Sequence, residues 1–301
     1  MISEATLANL RRKSAYVDQV QLHEGEPLPS WIDLSLTELC NRSAGHAKAC
    51  VFCPRIDPDF YPNQKLHMPL SLVGKIAHEL RELNYLGAVV LCGFGEPLLH
   101  PQIVEVVSLL KGLRVEIVTN GDFLTEAKIR ALSLAGCSYF VVSLYDGQHQ
   151  VGPMRKRFED AGCSNYMIRD RWHTEQDAYG LKLTNRGGTV TAGDQDPVQH
   201  SRPCLYLTYQ MTIDWNGDAL LCPQDWTKRS KFGNANGQSL LDIWMSSAMH
   251  KRRVRLMKGQ RTDSPCNACN TDGCLHGYNH AAGWMGAAAP KPAAPVMEPA
   301  E

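Results

Sequence analysis

A parallel α/β unit followed by a smaller, cysteine-rich α+β unit is the fold class this sequence predicts. Three observations carry that expectation. Short apolar runs alternate with helical stretches from Trp31 to Ser143, as they do when strands are buried in a parallel sheet. Gly-rich polar turns follow the apolar runs, where a parallel sheet or barrel keeps its chemistry. Eleven cysteines gather mainly in two groups, one near residue 45 and one beyond residue 200.

The elements follow in order. Residues 1–30 are polar, close on Glu26-Pro27-Leu28-Pro29, and read as an N-terminal extension or short helix. Trp31–Leu36 alternates apolar and polar residues like a strand. Leu72, Val73, Ile76, Leu80 and Leu83 fall at helical spacing within Leu72–Leu86. Ala88–Cys92 is a continuous apolar run ending in Gly93, the mark of a strand buried on both faces. Helix Ile103–Leu110, strand Val115–Val118, helix Thr125–Ala135 and strand Tyr139–Ser143 repeat the alternation. It fades through Gln148–Val198. Beyond, Asp214-Trp215-Asn216-Gly217-Asp218 signals a hairpin, because Asn-Gly favours a tight turn. The expected divisions are thus 1–30, a strand–helix unit over 31–198, a cysteine-rich unit over 199–280, and a Pro/Ala-rich tail over 281–301 expected to be disordered.

Charge removes several function classes. Lys and Arg number 31 against 31 Asp and Glu, with a pI near 7.1. Such balance argues against a nucleic-acid polymer or an anionic membrane as partner, since both favour a basic face. No apolar run is long enough for a membrane-spanning helix. Met1–Arg12 carries Glu4 and lacks the apolar core of a signal peptide, so a cytoplasmic location is expected. There, clustered cysteines bind metal or do redox chemistry more often than they form disulfides, and eleven cannot all pair.

The first group, Cys40, Cys50 and Cys53, sits just past the first strand. Three thiolates with His46 could make a structural zinc site. Three thiolates holding a 4Fe–4S cluster would instead leave one iron open to a small molecule. Spacing permits either.

What surrounds the cysteines separates the two. Thr37-Glu38-Leu39-Cys40-Asn41 followed by Cys50-Val51-Phe52-Cys53-Pro54-Arg55 resembles the cluster loop of radical S-adenosylmethionine (SAM) enzymes. The family pattern is Cys-x3-Cys-x2-Cys with an aromatic residue before the last cysteine, as Phe52 is here. This chain departs from it by six extra residues near Ser43–Lys48. Gly93-Phe94-Gly95-Glu96 stands where the family's Gly-Gly-Glu motif meets the SAM amino group, and Thr119-Asn120 ends the next strand. For Glu96, the plain alternative is a carboxylate favoured by a helix N-terminus. The resemblance covers about Trp31–Gly147. It implies a partial (β/α)6 barrel, SAM contacts from Phe52, Gly93, Gly95, Glu96, Thr119, Asn120 and Ser143, and reductive cleavage of SAM to a 5′-deoxyadenosyl radical. A flavodoxin or ferredoxin-type protein would supply the electron.

The second group resembles the auxiliary-cluster region called SPASM, or its shortened form, twitch. Cys204, the hairpin, Gly217 and Cys222 precede a connecting segment at Gly233-Asn234, Ser239-Leu240 and Ile243-Trp244, then Cys266 and Cys269. Four ligands, Cys204, Cys222, Cys266 and Cys269, would complete one auxiliary 4Fe–4S cluster, although four-cysteine zinc has the same spacing. Cys92, Cys137 and Cys163 read as small buried side chains. Cys274 reads as a spare ligand, a bystander or a hydrogen-donating thiol.

The thirty residues before Trp31 are too few for the recognition domain that peptide-modifying relatives carry. The resemblance therefore implies a sugar, aminocyclitol or aminoglycoside-type substrate. Asp146, His149, Arg169, Asp170, Arg171, His173, Glu175, Asn185 and Arg186 suit one, and Asp146 and Arg186 stand out by position. Dehydrogenation of a secondary alcohol is favoured by the auxiliary cluster, and epimerisation with Cys274 as donor is the alternative. A peptide-modifying radical enzyme and a non-enzymatic zinc module remain further readings.

Overall fold

The computed structural model describes residues 4–45, 49–172, 184–192 and 195–286. Helix α1 (Glu4–Val17) is followed by a small antiparallel pair, β1 (Leu22–His23) and β2 (Glu26–Pro27). Strands β3 (Trp31–Leu34), β4 (Ala88–Leu91), β5 (Arg114–Thr119), β6 (Cys137–Leu144) and β7 (Tyr166–Asp170) then alternate with helices α2 (Leu70–Glu82), α3 (Ile103–Leu109), α4 (Glu126–Ala135) and α5 (Val151–Asp160). The remainder comprises α6 (Tyr206–Tyr209), β8 (Gln210–Ile213), β9 (Asp218–Leu220), β10 (Lys231–Asn234), α7 (Leu240–Met245), α8 (Ser247–Met257) and α9 (Tyr278–Trp284).

One eight-stranded sheet runs β10-β9-β8-β3-β4-β5-β6-β7. The six strands from β8 to β7 are parallel, which is the α/β class and the partial-barrel strand set that the sequence implied. Its sixth member comes from an unexpected place. Strand β8 lies beyond Cys204, yet it pairs Gln210–Ile213 with Trp31–Leu34 at the start of the fold. The Asn216-Gly217 hairpin joins β8 to antiparallel β9, with Gly217 at φ +88°.

Alternation along each strand sorts two faces. Ile32, Leu34, Val89, Leu91, Val115, Ile117, Phe140 and Val142 face the helices and form the main core. The helices meet them with their own periodic residues, as α2 does with Leu72, Val73, Ile76 and Leu80. Thr125 caps α4 by accepting from Lys128 N at 3.2 Å. Helix α5 and strand β7 lie in the stretch where the sequence pattern fades. Val151, Met154 and Phe158 are nonetheless buried at helical spacing, while β7 is a half-buried edge strand whose polar residues mask it.

The opposite face is covered by α1, so the N-terminal segment is part of the fold and no loose extension. Arg12 pairs with the fully buried Glu116. Lys13 donates to Gln210 Oε1 at 2.9 Å and lies over the rings of Trp31 and Tyr209. Asp33 accepts from Trp31 Nε1 at 2.9 Å, from the Cys92 thiol at 3.3 Å and from Gln210 Nε2. Cys92 thus belongs to a buried polar layer, whereas Cys137 is the small buried thiol the sequence suggests.

Helix α9 fastens this layer from the far end of the chain. His276 Nδ1 meets Ser14 Oγ at 3.2 Å, His280 Nε2 meets Ser30 Oγ at 2.8 Å, and Asn279 donates to Asp18 O. Helix α9 runs to Trp284, into the span 281–301 expected to be disordered, of which 287–301 lie outside the described residues. Burial pushes both imidazoles down to about 4, with Lys13 and Arg12 adding to the effect on His276. Unfolded histidines take up protons near pH 6.5. Stability is therefore complete above pH 6.5 and lost as pH falls toward 4, by roughly 3 kcal/mol per histidine. The urea midpoint is expected to drop between pH 7 and pH 5, and a His280→Gln variant to show about half that drop. Parallel pH profiles for the two proteins would exclude His280 as a cause.

Candidate active site

Parallel pairing brings the C-terminal ends of β3, β4, β5, β6 and β7 to one edge of the sheet, with β8 beside them. All of the first cysteine group hangs there. Cys40 is clamped by Asn63, which accepts from Cys40 N at 2.8 Å and donates to Cys40 O at 3.1 Å. Cys50 N donates to Arg42 O at 3.2 Å and Cys53 N to Cys50 O at 2.9 Å. The three thiols come close enough for the charge of each to act on another. His46 lies outside the described residues.

Two arginines inside the cluster loop fix it, and motif reading passed over both. Arg42 is 2% exposed. Its Nε and Nη2 each donate to Asp122 at 2.8 Å, and its Nη1 and Nη2 donate to Asp146 at 2.9 and 3.1 Å. Burial alone would lower its pKa, but the bonds to Asp122 and Asp146 hold it above the ordinary value. Tyr145 lies under this guanidinium and stacks on Phe52, with ring centroids 5.9 Å apart. Arg55, 1% exposed, donates to Phe94 O, to Glu38 Oε2 at 3.3 Å and to Asn63 Oδ1 at 3.3 Å. Asp146, expected to face substrate, thus engages Arg42 and also accepts from Gln150 at 3.1 Å.

Glu96 ties two strand ends together. Its Oε1 accepts from Thr119 Oγ1 at 2.6 Å and Leu98 N at 3.1 Å, and its Oε2 accepts from Asn120 N at 2.9 Å. Burial raises its pKa to about 7 against the pull of those donors. The plain alternative for Glu96 therefore holds in part, because the carboxylate caps the short helix Pro97–Leu99. Gly95 makes the fit possible: a Cβ there would stand 2.1 Å from Thr37 O. Gly93 packs on Ser35 at the exit of β3. Asn120 reaches back to the cluster loop through Asn41 Oδ1, at 2.7 Å.

Ser143 accepts from Arg169 Nη2 at 2.7 Å. Burial, with Arg171 adding repulsion, lowers the pKa of Arg169 to about 9. Arg171 N donates to Leu144 O at 2.8 Å. His149 lines a cleft with Gly121, Asp122, Gln150 and Arg157. Asp170 ends β7; His173 and Glu175 fall outside the described residues.

Arg186 occupies the gap between the two cysteine groups. It holds a left-handed φ of +49° in a turn pinned to the second group's segment. Asn185 N donates to Asn270 Oδ1 at 2.8 Å, Asn185 Nδ2 to Ala268 O at 2.7 Å, and Thr184 Oγ1 to Gln224 Oε1 at 3.0 Å. Its charge acts on Cys53, Arg171 and Tyr206.

Cys204, Cys222, Cys266 and Cys269 line one small cavity of about 20 Å³ with Leu207, Leu221 and Leu256. Cys274 does not line it. That thiol donates to Pro203 O at 3.1 Å beside Arg202 and Tyr278, next to Cys204, against whose Sγ the preceding Gly273 packs.

The thiols fit multinuclear iron–sulfur clusters. Burial pushes Cys40 up to about 11, Cys50 and Cys204 to about 12, and Cys266 to about 11. Thiols so desolvated become thiolates only when a cation is supplied, and cluster binding supplies one. Among the described residues no three Cys, His, Asp or Glu converge tightly enough to hold a single ion.

Replacing Arg42 by Met leaves two partly buried carboxylates facing each other, and the expected loss is about 3–5 kcal/mol. Adding Asp122→Asn and Asp146→Asn to that variant is expected to restore most of it. Urea unfolding of the apoproteins checks both, and no recovery in the triple variant would exclude charge pairing as the cause.

Comparison with known proteins gives the same division. Residues 34–167 match the family model of the radical SAM superfamily, and residues 204–270 that of SPASM, an iron–sulfur cluster-binding domain. A relative from Niallia circulans, an S-adenosyl-L-methionine-dependent 2-deoxy-scyllo-inosamine dehydrogenase, is 26% identical over 251 residues, spanning 81% of this chain and 94% of the relative. The crystal structure of BtrN in complex with AdoMet and 2-DOIA superimposes with a TM-score of 0.69 at 25% identity, over 84% of this chain and 98% of that one. Streptococcus suis SuiB bound to precursor peptide SuiA shares the fold, with a TM-score of 0.58 at 14% identity over 90% of this chain and 74% of SuiB. Residues 34–167 thus form a radical SAM domain, and residues 204–270 a SPASM iron–sulfur cluster-binding domain.

Proposed function

We propose that this enzyme dehydrogenates a secondary alcohol on a small polyhydroxylated ring of the aminocyclitol type. The second thiol set carries the reading: four cysteines around one cavity, against three in the first set. An alcohol becoming a ketone gives up a hydrogen atom, a proton and an electron, and the electron needs an acceptor. When bound, SAM and a three-cysteine 4Fe–4S cluster supply hydrogen-atom abstraction, and a four-cysteine cluster supplies that acceptor.

In this reading Cys40, Cys50 and Cys53 hold the first cluster, and Cys204, Cys222, Cys266 and Cys269 the second. Residues 31–198 form the catalytic unit and 199–280 the auxiliary one. Phe52, Gly93, Gly95, Glu96, Thr119, Asn120 and Ser143 shape the SAM pocket, with Glu96 holding the ends of β4 and β5 in register. Arg186, fixed by its strained turn, orients substrate hydroxyls between the two units. Asp146 acts through Arg42 and so is a positioning residue. The packed rings of Tyr61, Phe94 and Trp226 beside Cys53 keep water out. A flavodoxin or ferredoxin-type donor supplies the reducing electron. Redox-neutral epimerisation with Cys274 as hydrogen donor is the alternative reading. Among the described residues no helix is long and apolar enough to cross a membrane.

Anaerobic reconstitution is expected to give about eight irons per chain, two clusters of four. With dithionite and SAM the protein should release 5′-deoxyadenosine, and Cys53→Ala should abolish that. A Cys269→Ala variant should still cleave SAM but form no ketone from 2-deoxy-scyllo-inosamine, the first alcohol to test. Bound zinc with intact SAM would overturn the radical reading. Ketone formation unchanged in Cys269→Ala would overturn the electron-acceptor role.

A further inference from the structure

Between the two cysteine groups lies a row of buried charges that neither set of ligands requires. Lys228, six residues past Cys222, sends its ammonium out of the auxiliary hairpin. It donates to Asp214 Oδ2 at 2.7 Å and to Glu38 Oε1 in the cluster loop. The other oxygen of Glu38 accepts from Arg55. The order Asp214–Lys228–Glu38–Arg55 thus alternates sign, with side-chain exposures of 3%, 17%, 9% and 1%. Aromatic faces close over it. Lys228 lies 4.4 Å from the Phe94 ring centroid, and Arg55 lies 4.5 Å from that of Tyr61.

Two features say that this arrangement is held for more than a turn. Lys228 adopts φ +52°, a left-handed conformation that costs a β-carbon residue and suits glycine. Its removal would also leave Asp214 and Glu38, which repel each other, with no cation between them and Arg55 only on the far side of Glu38. Arg55 in turn carries Phe94 and Asn63, and Asn63 clamps Cys40. The row therefore runs from the hairpin after Cys222 to the backbone of Cys40.

The geometry points to Lys228 as a positioning residue for the SAM-binding cluster loop: the auxiliary segment supplies the cation that holds Glu38, and Glu38 holds the loop through Arg55. The inference rests on the radical SAM reading of Cys40, Cys50 and Cys53. It makes the SAM pocket depend on a side chain from the SPASM segment that binds neither cluster.

The test uses the full chain, reconstituted anaerobically, with Lys228→Gly, Lys228→Met and Lys228→Arg. The glycine variant relieves the backbone strain, so a purely structural turn would tolerate it or gain from it. Iron and sulfide should match the unmodified protein in all three. SAM affinity, read by titration of the reduced cluster's EPR signal, should fall about tenfold in the glycine and methionine variants. It should stay within about threefold in the arginine variant, which keeps the charge. Unchanged SAM affinity in Lys228→Gly would overturn the inference, as would iron lost from the auxiliary cluster alone. If SAM leaves the EPR signal of the unmodified protein untouched, the radical SAM reading fails first and takes this inference with it.

Discussion

The catalytic edge depends on a guanidinium that water barely reaches. Loops at the ends of parallel strands have no ladder of their own, so something must hold them against one another. Arg42 does this by bridging the turns after β5 and β6 from within the cysteine loop, with Tyr145 beneath its plane. Two carboxylates against one cation leave the group net negative. Arg42 is thereby kept charged, and neither Asp122 nor Asp146 is released into the site. Cys40, Cys50 and Cys53 can then sit close together as neutral thiols until a cation draws their protons away.

Arg55 performs a parallel task toward β4, so both arginines that follow a cysteine by two positions act as fasteners. This recasts the long spacing between Cys40 and Cys50. Of the added residues, Ser43 Oγ donates to Cys40 O at 2.6 Å and Ala44 N to Arg55 O at 2.8 Å, so both belong to the scaffold of the site.

Much of this was legible in the sequence where burial imposes a period. Apolar runs at β4 and β5 and the spacing of Ile76 and Leu80 report a core on a known side, and cysteine spacing reports shared ligation. The reading weakened where polar residues are buried by pairing. Strand β7 carries Arg169 and Asp170 at the sheet edge, so no apolar alternation marks it. Helix α1 turns Arg12 and Lys13 inward, which an amphipathic pattern assigns to solvent. Asp146 was found by its place at a strand end, but position cannot tell a substrate contact from an ion pair whose other member lies 104 residues away. Lys228 belongs to no motif. Its partner Glu38 lies 190 residues away, and only the fold makes the two neighbours.

Strand β8 has a consequence for how such a molecule can be made. It completes the parallel set beside β3, yet it is translated some 180 residues later, from within the SPASM segment. Until then one edge of β3 offers unpaired amides and carbonyls over the apolar Ile32 and Leu34, the kind of edge that recruits other chains. Closing a loop of that length adds an entropic cost that grows only slowly with length, but the pairing cannot begin before the late strand emerges. A ribosome-bound chain therefore carries its first three cysteines on an unfinished sheet for most of its synthesis. The two cysteine groups thus hang on one hydrogen-bonded sheet, and a shorter chain ending before Gln210 would keep the cysteine loop while leaving the edge of β3 without its partner strand.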